Sequence, residues 1–95
     1  MTKNKILNYL INNKQKFKKE FGVEKIGLFG SFARDEATKD SDIDLVIDMK
    51  PKSLKKRLSL KQKIETELQT NVDLGYLSSL RNFIAKDIQK DLIYV

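Results

Sequence analysis

Apolar positions along the chain follow two rhythms. Leu7, Leu10, Ile11, Phe17 and Phe21 recur at spacings near three and four with Lys and Asn between them, predicting a helix over residues 3–20 that Gly22 stops. Val23 to Phe29 reads as a short strand bounded by Gly30, and a second strand runs over 42–49, which Pro51 cannot continue. Between them, a short helix starting at Ser31 carries Phe32 and Ala33 inward, followed by a polar loop from Asp35 to Ser41. Ser53 is placed to cap a helix through Gln69, on which Leu54 and Leu58, then Leu60, Ile64 and Leu68, are spaced four apart. NVDLGY (71–76) reads as a third strand. Ser78 or Ser79 then caps a last helix burying Leu80, Phe83, Ile84 and Ile88, and the β-prone tail Leu92–Val95 adds a closing strand. Helices alternating with strands predict one domain over 1–95, of α/β (α+β) class, with a small sheet of about four strands flanked by helices.

Composition narrows the chemistry. The chain has no Cys and no His. That excludes disulfide frameworks, thiolate zinc sites, Ser-His-Asp triads and imidazole acid–base catalysis together, leaving carboxylates, Lys, Arg, hydroxyls and backbone groups. No apolar run approaches a membrane span, and the first ten residues are amphipathic without a signal-peptide core, so a cytoplasmic location is expected. The net charge of +6 is unevenly spread. Residues 1–20 hold six lysines against one acid, residues 50–63 hold seven Lys or Arg and no acid, and residues 35–48 hold six acids and one lysine. An acidic pocket on a basic body suits a metal–nucleotide site beside a surface that attracts an acidic partner. Nucleic-acid binding is possible but not favoured, because no aromatic stripe is interleaved with the basic residues.

The candidate chemistry lies between Lys25 and Asp48. Gly30-Ser31 ends one strand, and after ten intervening residues Asp42-Ile43-Asp44 opens the next. Residues two apart in a strand share a face, so Asp42 and Asp44 project together. Two adjacent carboxylates repel unless a cation joins them, and Mg²⁺ takes one or two carboxylates plus phosphates and water. Gly30 lets the backbone approach a ligand closely, and Ser31 can start a helix whose free N–H groups face an anion. Asp73 sits between apolar Val72 and Leu74, where an acid is costly unless paired or bound to a cation. If the third strand lies beside the second, three carboxylates converge. Arg34 either clamps a phosphate or pins the loop through Asp35 or Glu36.

The run GSFAR, the spacing to DIDL, the NVDLGY strand and the ending IYV resemble the nucleotidyltransferase superfamily that includes DNA polymerase beta and kanamycin nucleotidyltransferase, and within it the minimal nucleotidyltransferase (MNT) group. The resemblance covers nearly the whole chain. It implies a mixed sheet, nucleotide phosphates held by Gly30 and Ser31 with Arg34 nearby, one or two Mg²⁺ ligated by Asp42 and Asp44, and Asp73 activating the attacking hydroxyl or binding a second metal. Asp35 departs from the pattern, since glycine is common there. Many MNT proteins are antitoxins of HEPN-domain ribonuclease toxins, so the resemblance implies a type VII-like antitoxin that transfers AMP from ATP to a tyrosine of that partner. Other readings of the same chain are a non-catalytic antitoxin or scaffold, or the catalytic subunit of a two-subunit enzyme that modifies a small molecule such as an aminoglycoside.

Overall fold

A computed structural model describes residues 1–80 and 89–95. Helix α1, Lys3–Phe21, starts where the Thr2 side chain accepts the Lys5 N–H at 3.2 Å. It ends at Gly22, whose left-handed backbone (φ 73°) returns its N–H to the Lys18 carbonyl. A side chain at Gly22 would also run into the Lys50 carbonyl, so two constraints demand glycine there. The buried stripe of α1 is Ile6, Leu10 and Phe17, four and seven residues apart, and Ile11 is 56% exposed. The expected stripe was therefore rotated: Ile11 lies about 100° around the helix from Leu10, beyond the edge of the face that meets the sheet.

Strands β1 (Val23–Phe29), β2 (Ile43–Met49), β3 (Val72–Tyr76) and β4 (Ile93–Tyr94) form a mixed sheet in the order β3-β2-β1-β4. The β1 strand is antiparallel to both β2 and β4, whereas β2 and β3 run parallel. The expected closing strand is thus the tail itself, added to the free edge of β1. One core joins Ile26 and Leu28 of β1, Ile43, Leu45 and Ile47 of β2 and Leu74 of β3 to the buried residues of α1 and of α3 (Leu54–Leu68). The opposite face of β2 carries Asp44, Val46 and Asp48. Alternation along one strand therefore separates the core from the chemistry.

Ser53 caps α3 by accepting the Lys56 N–H at 3.2 Å. Of the two apolar rows on α3, Leu60 and Ile64 are buried, while Leu54 and Leu58 are 60% and 50% exposed. The helix also closes the outer edge of β3. Arg57 donates to the Leu74 carbonyl at 2.6 Å, and Glu65 accepts the Val72 N–H at 2.9 Å. Backbone groups that would otherwise offer a template for strand addition are thereby occupied. A 3₁₀ turn, Leu77–Leu80, follows β3. The expected last helix, with Phe83, Ile84 and Ile88, lies outside the described residues.

Candidate active site

The sheet register assembles the site. Phe29 of β1 pairs with Asp44 of β2, and Asp44 pairs with Asp73 of β3. Neighbours in register project to the same face, so Asp44 and Asp73 stand side by side. Asp42 precedes β2 by one residue. The chain leaves β1 directly into the one-turn helix α2, Gly30–Ala33, which brings Gly30 against the same carboxylate. Gly30 has φ 78°, and any Cβ there would collide with the Asp44 carboxylate. Both its backbone angle and its lack of a side chain are needed for this approach.

Helix α2 begins one residue earlier than expected. Its N-cap is Phe29, which supplies no side-chain hydrogen bond, so Ser31 lies within the turn rather than capping it. The turn is closed from behind, by Arg34 N–H to the Gly30 carbonyl at 3.1 Å and Glu36 N–H to the Ser31 carbonyl at 2.9 Å.

The acids are only partly compensated by the described residues. Burial pushes the Asp44 carboxyl up from the usual carboxylate range, and the charges of Asp73 and Asp42 push the same way; the Arg34 guanidinium pulls it down. Among the described residues, none of the three aspartates forms an ion pair. Nor, among those residues, does any group of three His, Cys, Asp or Glu side chains stand gathered as a ready-made metal cage. Adjacent hard oxygen donors and a destabilised carboxylate, with no ion-paired cation among the described residues, fit an ion that takes one or two carboxylates and completes its shell with phosphate and water, which is the preference of Mg²⁺.

Arg34 is exposed and holds two acids, Glu36 at 3.0 Å and Asp91 at 3.1 Å. Of the two roles open to it in the sequence, pinning the loop is visible, and its second anchor lies 57 residues away. Asp35 does not join it but pairs with Lys3 at 2.9 Å. Asp35 also adopts φ 59°, so the position where the related motif commonly has glycine keeps a left-handed backbone here with one of the few residues that tolerate it. Ser41 hydrogen-bonds within its own loop, accepting the Thr38 N–H at 2.9 Å.

Beside Asp42 opens a polar cleft of about 470 Å³ lined by Lys39, Ser41, Glu65, Gln69 and Asn71 among others. The sequence pattern marks Gln69 only as the end of a helix and Asn71 only as the start of a strand, and gives Thr70 no role. Gln69 carries the one available hint, standing at a helix C-terminus where glycine is the common residue. It takes the left-handed backbone there (φ 52°) despite its side chain.

The family model described as Nucleotidyltransferase domain matches residues 10–95. The chain belongs to the nucleotidyltransferase domain family. The protein adenylyltransferase MntA of Thermococcus cleftensis is 38% identical over 96 residues, covering 100% of this chain and 97% of that relative. Among solved structures, a toxin–antitoxin crystallised with AMP-PNP matches with TM-score 0.58 and 28% identity, over 87% of this chain and 60% of that one. The tri-AMPylated HEPN toxin of Shewanella oneidensis in complex with an MNT antitoxin matches with TM-score 0.60 and 25% identity, over 97% of this chain and 66% of that one. The two solved structures are similar to this chain in fold.

Proposed function

We propose that this chain is a protein adenylyltransferase that transfers AMP from ATP to a tyrosine hydroxyl of a HEPN-domain toxin and so serves as that toxin's antitoxin. The observation that carries the reading is the pairing of Asp44 with Asp73 in the sheet register, with Gly30 packed against the Asp44 carboxylate, in a chain 38% identical to a protein adenylyltransferase. A cytoplasmic setting, where ATP and Mg²⁺ are abundant, suits it.

In this reading Gly30, Ser31 and the uncapped N–H groups of their turn hold the outer phosphates of ATP. Asp42 and Asp44, with Asp73 for a second ion, are the ligands for one or two Mg²⁺, which neutralise triphosphate charge when bound. The acceptor oxygen attacks the α-phosphorus as its proton passes to an Asp73 carboxylate oxygen. The bond from the α-phosphorus to the bridging oxygen breaks, and pyrophosphate leaves with the electron pair. Placement and electrostatics supply most of the acceleration, since a positioned phosphoryl group needs little covalent help. Arg34, held by Glu36 and Asp91, keeps the loop in place and moderates the charge on Asp44.

ATP labelled on the α-phosphate or on the γ-phosphate, incubated with the chain, Mg²⁺ and its HEPN-domain toxin, tests the proposal. Label on the toxin from the α-position alone is expected. Label from the γ-position would mean phosphorylation, and no label from either would leave binding without catalysis.

A further inference from the structure

We infer that the polar cleft between the 38–42 loop and the C-terminal end of α3 receives the polypeptide segment that presents the acceptor hydroxyl, with Gln69 and Asn71 as its binding residues. This rests on the adenylyl-transfer reading and adds to it a place for the second substrate. Three observations lead to it.

Direction comes first. In-line displacement needs the nucleophile opposite the leaving group. Gly30-Ser31, assigned to the departing phosphates, lies on the β1 side of Asp44, and Asp73 lies on the β3 side. The acceptor then arrives from the β3 side, and the cleft lies next to that approach: it reaches the aspartates through Asp42 and is bordered by Asn71, the residue leading into β3, with Asp44 and Asp73 beyond its lining.

The lining comes second. Among the described residues it contains no aromatic or aliphatic side chain, and holds three acids against one lysine. A nucleobase would find nothing to stack on, and phosphates would meet repulsion. A peptide segment of polar or basic sequence is matched by the carboxamides of Gln69 and Asn71, which both donate and accept, and by the acids around them.

The third observation is that Gln69 sits in the left-handed conformation at the C-terminus of α3. Glycine would fit that backbone with less strain, so a long carboxamide lines the cleft here against local conformational preference.

The same feature provides the test. Gln69→Gly removes the side chain without disturbing the backbone, so its melting temperature should equal or exceed that of the wild type. Asn71→Ala serves as an independent variant at an exposed site. With α-labelled ATP and the HEPN-domain toxin, each variant should raise the KM for toxin about tenfold, as loss of one or two hydrogen bonds does. The kcat and the KM for ATP should stay within about twofold, a split that reports lost binding rather than lost catalysis. Unchanged toxin KM in both variants, or a fall in kcat alone, overturns the assignment while leaving adenylyl transfer standing. A raised KM for ATP in place of toxin would put the nucleoside in the cleft and also overturn it. Absence of transfer by the wild-type chain would remove both readings.

Discussion

Asp44 on β2 and Asp73 on β3 are direct neighbours in the parallel register, side by side on the face of the sheet that points away from the core. A folded chain gains nothing by setting two carboxylates together without a partner. The pairing opposes stability, and carboxylates perturbed in this way cluster where proteins carry out chemistry.

The first prediction follows from that opposition. Burial and the neighbouring acids favour the neutral form of Asp44 in the folded state, so the charge it carries at neutral pH destabilises the fold. Asp44→Asn imitates the neutral form at nearly constant shape. Because the site is partly open, screening leaves a gain of about half a kcal/mol, or a melting temperature higher by roughly 2–4 °C in metal-free buffer. Thermal unfolding in EDTA measures it, and the same variant should lose transfer activity.

Gly30 yields a second. Any side chain there meets the Asp44 carboxylate and must also adopt φ 78°. Gly30→Ala should lose about 1–3 kcal/mol of stability and most of its transfer activity. Urea unfolding and label transfer, measured on one preparation, report the two losses.

The closed edge of β3 yields a third. Arg57 holds the Leu74 carbonyl and stacks at 5.0 Å from the centre of the Tyr76 ring. Arg57→Ala should cost about 1–2 kcal/mol and free one backbone acceptor on an edge strand. Concentration-dependent association should appear by light scattering, with transfer by the remaining monomer intact.

Tyr9 supplies a pH dependence. Its hydroxyl donates to Glu67 at 2.9 Å, and its ring packs against Phe17 with centroids 6.1 Å apart. Burial, then the bond to Glu67 and the charge of Glu67, raise the Tyr9 phenol above its ordinary value of 10.0. The unfolded chain therefore releases this proton first. The contribution is complete below about pH 10 and is lost as pH climbs from there toward the raised folded-state value. Urea unfolding of the wild type and Tyr9→Phe between pH 8 and 11 should show the steeper alkaline decline in the wild type; lysine titration, common to both, cancels in the difference.

Much of this was legible in the residues themselves. An acid between Val72 and Leu74 marks the position that the register sets beside Asp44, whereas Asp42, expected within the second strand, precedes it by one residue. Gly22 and Ser53 act at helix ends for reasons written in their chemistry. Periodicity did not fix the phase of the helices. Leu54 and Leu58 have the same spacing as Leu60 and Ile64, and which row is buried depends on where the sheet lies. Contacts across long separations were hidden for a related reason. Nothing near Arg34 indicates Asp91, and the Gln69 cleft exists only because the 38–42 loop folds opposite the end of α3.

The measurement that reaches the centre of the account is AMP incorporation into the HEPN-domain toxin by Asp42→Asn, Asp44→Asn and Asp73→Asn, each with Mg²⁺ and each with EDTA. Labelling is expected from the wild type in Mg²⁺ only, with a loss of at least about a hundredfold in every variant, since each removes a charged group from the proposed reacting centre. Undiminished labelling by any one of the three, in a variant that folds, would contradict it.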